Sequence, residues 1–224
     1  MASGSPLPGL IMFGIVAAAV GGSAYAAYVG NKKRNLALQA VAQAMGFSFQ
    51  EPCDLAAVDA LVGETPLFKR GHARKAQRML RGRLADRDAA IFDYRYTTGS
   101  GKSSHTHLQT VVLFPGGAAG LPDFDLSPEG MFHAVAELFG AQDIDFEQNA
   151  EFSKRYLLRG QDEAAIRRAF TTDALAWFGG APGWRVQSHQ NLLAVFREGK
   201  FVAPAEIPSY AAEALRIVGV FGRA

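Results

Sequence analysis

The first long feature in the pattern of hydrophobic and polar positions is a run without charged side chains from Leu10 to Val29. At about 1.5 Å per residue, these twenty positions form roughly 30 Å of helix, which matches the hydrocarbon thickness of a bilayer. Tyr25 and Tyr28 lie near the C-terminal end of the run, and amphipathic rings favour the membrane interface. The pattern predicts a transmembrane helix over residues 10–30, preceded by a short N-terminal tail, residues 1–9.

Charged residues beside this run predict its orientation. Lys32, Lys33 and Arg34 follow it directly, whereas residues 1–9 contain no Lys or Arg. Since basic residues favour the cytoplasmic side, we expect the N-terminus outside and the C-terminal part in the cytoplasm. A cleaved secretory signal is the alternative, but such a signal carries its basic residues before the apolar run. The prediction is a single-pass protein of a bacterial inner, or cytoplasmic, membrane.

Small residues recur every fourth position within the predicted span, at Gly14, Ala18, Gly22 and Ala26. On a helix they form a stripe that lets another helix approach closely, because packing drives helix association in lipid. The alternative is that small residues are simply abundant in this chain, which contains 24 glycines. As a helix-packing face, the stripe predicts that other transmembrane subunits, either its own copy or different chains, are partners.

Residues 31–65 are predicted as a juxtamembrane helical connector. Leu38, Val41, Ala42 and Met45 fall on one face of a helix over residues 31–45. No proline separates this helix from the apolar run, which predicts one long helix. A short strand over 47–50 and a short helix over 55–62 complete the connector.

Two-residue alternation dominates the part that follows. Ala90, Phe92, Tyr94 and Tyr96 alternate with more polar positions, as in a half-buried strand. Short links between such strands predict an antiparallel sheet with flanking helices, a cytoplasmic α+β domain over residues 66–224. Its predicted strands cover residues 77–85, 89–96, 106–114, 152–159, 184–188, 192–197 and 200–202. Its predicted helices cover 162–170, 172–178 and 209–220, and a further helix opened by Ser127-Pro128-Glu129 that reaches about residue 139.

Charge changes the picture more than composition does. The net charge is only +2, but residues 66–85 carry seven basic and no acidic side chains. Beside a membrane, anionic lipid headgroups are natural partners for such a segment. Acidic surfaces of neighbouring subunits and simple solvation of a basic strand are the alternatives. The run has few interleaved aromatics, so nucleic acid is not an expected partner. The predicted basic patch consists of Lys32, Lys33, Arg34, Lys69, Arg70, Arg74, Lys75 and Arg78.

Candidate chemistry is sparse. The loop Gly99-Ser100-Gly101-Lys102 resembles a phosphate-binding loop, but Tyr96 stands where that motif needs glycine and a strand is predicted after it. His105 and His107 share one strand face and could hold a metal if Asp93 or His72 supplied a third ligand. The alternative is that both are ordinary surface histidines, and this is what we expect. No metal, cofactor or catalytic residue is therefore predicted. The lone Cys53 excludes an intramolecular disulfide framework.

Several segments resemble a family of bacterial single-pass membrane-anchored proteins of unassigned function. They are Phe68–His72, Phe92–Lys102, Gln142–Phe146 and Arg155–Gly160. The resemblance spans roughly residues 66–220 and implies a bacterial source and one folded domain. It implies no reaction and no catalytic residues.

These observations predict a non-enzymatic accessory or structural subunit. Its helix and cytoplasmic domain would pack against a larger bacterial membrane complex, with photosynthetic and respiratory complexes as candidate hosts. The alternative is a membrane-anchored ligand-binding or sensory domain, or a cryptic enzyme, that uses the hairpin around Tyr94–His107. That alternative predicts a concave pocket with polar groups beside the hairpin.

Overall fold

The structure, a computed structural model, describes residues 7–53, 55–129 and 143–221. Within these ranges the side-chain environments of residues 7–24, 27 and 55–57 are not described. The helices are α1 (Leu7–Ala44), α2 (Leu55–Val62), α3 (Pro66–Lys69), α4 (Ala150–Ser153), α5 (Glu163–Ala169), α6 (Thr172–Gly180) and α7 (Ile207–Phe221). The strands are β1 (Ser48–Gln50), β2 (His72–Leu84), β3 (Arg87–Thr98), β4 (His105–Pro115), β5 (Phe124–Pro128), β6 (Tyr156–Arg159), β7 (Arg185–His189) and β8 (Leu192–Glu198).

All eight strands belong to one antiparallel sheet in the order β1-β2-β3-β4-β8-β7-β5-β6. The predicted α+β fold with flanking helices is therefore confirmed. The central strands are long because their alternating apolar residues fill both faces of the sheet. Residues from β3 show this division: Ile91 packs into one core cluster, while Phe92 packs into the other.

The larger core cluster covers one face, which we call the helix face, and brings α1, α5, α6 and α7 against the sheet. Its aromatic rings pack at centroid separations between 4.9 and 6.2 Å. The smaller cluster covers part of the opposite face, which we call the α2–α3 face, and includes Val62, Leu67 and Phe68. This two-sided burial explains why so many strand positions are inaccessible to solvent.

Helix α1 runs without interruption from the predicted span into the domain, as the absence of proline predicted. Leu38 and Ala42 are buried, and Val41 and Met45 pack beside them. The predicted face of the helix over residues 31–45 is therefore confirmed. Residues 31–65, expected as a connector, supply core side chains and the edge strand β1.

Two predicted elements are wrong in part, and one is wrong throughout. Ser127 and Pro128 do not open a helix but end strand β5, where they pair with Leu157 and Tyr156. The remainder of that predicted helix falls largely on residues 130–142, outside the described residues. The predicted strand over residues 152–159 is confirmed in its C-terminal half, as β6, but its first residues belong to helix α4, which is capped by Asn149.

The predicted strand over residues 200–202 is the element that is wrong throughout. Its backbone pairs with side chains rather than with another strand: Val202 N donates to Thr110 Oγ1 at 3.0 Å, and Val202 O accepts from Arg34 at 2.9 Å. A short 3-10 helix, Pro204–Glu206, follows and leads into α7.

Candidate functional site

A buried charge cluster fastens α1 to the sheet. Arg34 on α1 donates to both carboxylate oxygens of Asp93 on β3, at 2.8 and 2.9 Å. Asp93 is 2% exposed, so the carboxylate is almost fully withdrawn from water. A bidentate pair of this kind fixes the orientation of the guanidinium as well as its position. Arg34 therefore sets the direction in which α1 leaves the domain.

A second guanidinium completes the cluster from β2. Arg78 adopts a positive φ of 55° in an irregular stretch of the strand, which turns its side chain towards α1. It donates to Asp93 at 3.1 Å, to Asn31 at 2.7 Å and to Asn35 at 2.9 Å. Strand β2 thus holds two successive turns of α1 through one side chain.

Thr110 on β4 closes the arrangement, which we call the Asp93 cluster: Arg34, Arg78, Asp93 and Thr110. The Thr110 hydroxyl donates to Asp93 at 2.8 Å. The Phe201 ring lies 5.4 Å from the Arg34 guanidinium and 5.9 Å from that of Arg78. Two cations therefore share one carboxylate and one aromatic face, and loss of the carboxylate would leave both without a counter-charge.

The predicted basic patch divides into two groups. Arg34, Arg70 and Arg78 turn into the domain, where Arg34 and Arg78 bind Asp93, and Arg70 lies 3.6 Å from Glu198. The exposed members are Lys32, Lys33, Lys69, Arg74 and Lys75. A role for this patch at anionic lipid rests on these five side chains.

The predicted helix-packing face lies mostly outside the described side chains. Helix α1 includes Gly14, Ala18, Gly22 and Ala26, but only Ala26 has a described environment, and it is exposed. In the part of the chain that the structure describes, no helix is long and apolar enough to cross a membrane. Most of the predicted span over residues 10–30 falls on residues 10–24, whose side chains are not described.

The predicted histidine pair is formed, but without the suggested third ligand. His105 and His107 contact each other edge to face, with ring centroids 4.7 Å apart. His107 stacks on Tyr96 at 4.6 Å, on the α2–α3 face, whereas Asp93 points to the helix face. Burial lowers the pKa of His107. Among the described residues, no three His, Cys, Asp or Glu side chains are placed to hold a metal.

The loop between β3 and β4 lacks the structure of a phosphate-binding loop. Residues Gly101–Ser103 form one 3-10 turn, and strand β4 follows rather than a helix. No helix N-terminus is therefore available at this loop to face a phosphate.

A second buried polar cluster lies on the α2–α3 face and was not predicted. Arg185 on β7 is 1% exposed and binds Glu198 and Asp125, the latter at 3.4 Å. Burial opposes the charge of Arg185, but the two carboxylates outweigh it and raise its pKa. Gln187 bridges Asp125, at 2.6 Å, and the backbone N–H of Leu67, at 2.9 Å. This cluster attaches α3 to the sheet.

A sequence signal for this cluster does exist. Arg185 and Gln187 stand two residues apart in a strand, separated by the apolar Val186. Polar residues on one face of a strand usually face solvent, so this pattern by itself predicts an exposed face rather than a buried one. Their burial follows from α3, whose Leu67 N–H binds Gln187, and from Arg70 just after it, which lies beside Glu198.

The alternative prediction places a pocket beside the hairpin, and a cavity reaches only one of the four residues it named, Tyr94. A cavity of about 320 Å³ lies beside Tyr94 and is lined by charged side chains from α2, α3 and β2. Tyr96, His105 and His107 do not line it. The cavity therefore lies on the β2 side of the hairpin, away from the histidine pair.

The environment of the single cysteine, Cys53, does not favour reactivity. Cys53 is partly buried, and this burial raises the pKa of its thiol. A raised pKa keeps the sulfur protonated near neutral pH, which disfavours nucleophilic chemistry.

Comparisons with known proteins add a fold but no family. No family model matches the chain, and no curated protein matches it. The chain is similar to the crystal structure of the mycobacterial trehalose monomycolate transport factor A, TtfA, with a TM-score of 0.55. The identity is 17%, and the match covers 84% of this chain and 92% of that chain. At that identity the similarity shows a shared fold alone.

Proposed function

We propose that this chain is a non-enzymatic accessory subunit of a bacterial membrane complex. In this proposal residues 10–30 cross the inner membrane with the N-terminus outside, and the α+β domain lies in the cytoplasm. The stripe Gly14, Ala18, Gly22 and Ala26 packs against a transmembrane helix of the partner.

The observation that carries the proposal is the attachment of α1 by the Asp93 cluster. A flexible tether needs no buried, bidentate ion pair at the point where it meets its domain. Here one continuous helix includes the predicted span and ends in the core, at Leu38 and Ala42. A subunit that braces a complex requires such a fixed relation between its helix and its domain, because force and position are transmitted only through a stiff link.

The similar structure supports the proposal in one limited respect. The mycobacterial protein of similar fold is a transport factor. A transport assembly therefore joins photosynthetic and respiratory complexes among the proposed hosts. The resemblance to membrane-anchored proteins of unassigned function, carried by segments such as Phe92–Lys102, points to the same setting.

The test is native electrophoresis of the full chain, extracted from its own membranes in mild detergent. We expect it to migrate with a complex well above its own 24.0 kDa. Gly22→Leu, which fills the stripe, releases the chain from that complex. Ala24→Leu is the matched control, because two residues at about 100° each place it on the opposite side of the helix. A wild-type chain that migrates as a free monomer contradicts the proposal.

A further inference from the structure

The cavity beside Tyr94 is built from four elements. Val58 and Asp59 come from α2, Glu64 from the turn after it, and Phe68 from α3, while the first residues of β2 and Tyr94 close it. Its volume of about 320 Å³ is about ten times the volume of a water molecule in the liquid. It therefore falls at the lower end of the range of small-ligand sites.

Tyr94 places an unused polar group at this cavity. The side chain is 3% exposed, and within the described residues its hydroxyl has no hydrogen-bond partner. Burial raises the pKa of this phenol, Arg74 acts to lower it and Asp59 to raise it. Tyr94 itself lines the cavity, together with both of these charged residues. A buried hydroxyl without a partner is rare in folded proteins, and a bound ligand would satisfy it.

An irregular start of β2 presents the basic residues of the cavity. Ala73 has a positive φ of 49°, and the register with β3 shifts between His72 and Lys75. A non-glycine residue in this conformation is strained, and such strain concentrates at functional sites. The irregularity lets Arg74 turn back to α3, where its Nη1 donates to Phe68 O at 2.9 Å. The other N–H groups of its planar guanidinium remain available to an anion.

The charges around the cavity favour an anion that also has polar substituents. Lys69 and Arg74 supply two positive charges, against Asp59 and Glu64, while Lys75 lines the cavity but pairs with Arg95 on the other face of the sheet. Lys69 already neutralises Glu64 at 2.8 Å. Arg74 is therefore the cation left to face a ligand, and Asp59 can accept a hydrogen bond from a hydroxyl or amine beside the anion.

We propose that this cavity binds a phosphate group, either of a phospholipid headgroup or of a small phosphorylated molecule. Arg74 holds the phosphate oxygens, and the Tyr94 hydroxyl donates to one of them. This inference is independent of the accessory-subunit proposal, because it concerns the isolated chain.

The experiment is isothermal titration calorimetry of the purified full chain in mild detergent with three probes. They are inorganic phosphate, glycerol 3-phosphate and short-chain phosphatidylglycerol. Binding of the first two shows a soluble phosphate ligand, whereas binding of the phospholipid alone shows a headgroup site. Binding of none of the three overturns the proposal.

Variants separate the cavity from general charge attraction. Arg74→Gln and Tyr94→Phe each lower the affinity for the probe that binds about tenfold. Arg95→Gln is the matched control, because Arg95 is an exposed cation opposite Lys75 on the neighbouring strand, and it leaves affinity unchanged. Tyr94→Phe keeps the aromatic ring, whose centroid lies 4.9 Å from that of Phe68, so we expect this variant to fold. Thermal unfolding checks that it does. Equal losses in all three variants, or no loss in Arg74→Gln and Tyr94→Phe, overturn the proposal.

Discussion

Replacement of Asp93 by Asn tests the attachment of α1 most sharply. The substitution keeps the shape of the side chain and removes its charge. Asp93 accepts from Arg34, Arg78 and Thr110, whereas the Glu51 carboxylate accepts only from the backbone N–H of Arg78 and not from its guanidinium. Two guanidinium groups, 17% and 4% exposed, then face each other without a counter-charge.

The expected loss follows from that burial. Removal of one partner from a buried ion pair costs about 3–5 kcal/mol. Because Arg34 keeps some contact with solvent, the lower end applies, and we expect Asp93→Asn to lower the free energy of unfolding by about 3 kcal/mol. For a protein of this size each kcal/mol lowers the Tm by about 2–4 °C, so the Tm falls by about 6–12 °C.

Urea unfolding of the full chain in mild detergent, followed by tryptophan fluorescence, measures this difference. Trp184 is fully buried and reports on loss of the core. Asp88→Asn is the matched control, since its carboxylate is 77% exposed and lies 3.8 Å from Arg83; we expect a change below about 0.5 kcal/mol. Tryptic cleavage after Lys32 and Lys33 should accelerate only in Asp93→Asn. The reasoning is refuted if Asp93→Asn and Asp88→Asn unfold at the same urea concentration.

Three other predictions concern the sheet. Gly71→Ala lowers the free energy of unfolding by about 2 kcal/mol, because a Cβ there meets Thr97 O at 2.2 Å and φ is +59°. Gly116→Ala, with a similar φ but open space around it, costs only about 1 kcal/mol; equal losses in the two urea curves would show that the clash is irrelevant. Arg185→Lys removes the guanidinium that binds both Asp125 and Glu198, and we expect it to lower the free energy of unfolding by about 3 kcal/mol in the same assay. The exposed Arg197→Lys should lower it little. A larger loss for Arg197→Lys than for Arg185→Lys contradicts the buried-cluster argument. His107 titrates below the ordinary histidine pKa of about 6.5, because burial disfavours its charged ring. Its contribution to stability is therefore present above that pH and is lost as the pH falls towards the folded-state value; an NMR titration that places His107 above 6.5 contradicts this sign.

Much of the sheet could be predicted because its strands alternate strictly. Phe92, Tyr94 and Tyr96 share one face of β3, and the neighbouring predicted strands pair with it in the expected antiparallel direction. Strand β5 could not be found in this way. It has five residues, and its Ser127-Pro128-Glu129 end matches the sequence of a helix start. Pairing with β6 and β7 decides its conformation, and such long-range pairing has no local signal.

The candidate site was less predictable than the fold. Arg34 and Arg78 look like members of a basic surface in the sequence, because a charged side chain is usually solvated. Their common partner, Asp93, lies 59 and 15 residues away. Arg78 points towards α1 because of an irregularity in β2, and the residue types at that position do not predict this irregularity. The five exposed members of the patch, among them Lys32 and Lys33, are by contrast solvated as charged side chains usually are.

The most direct test of the proposed role places a photocrosslinking amino acid in the native membrane at Ala26 or at Tyr28. Ala26 belongs to the small-residue stripe, whereas Tyr28 lies about 200° around the helix, and both are exposed in the isolated chain. The account predicts that the label at Ala26 forms an adduct with another membrane polypeptide and that the label at Tyr28 does not. Absence of any protein adduct at Ala26, or equal adducts at both positions, would contradict it.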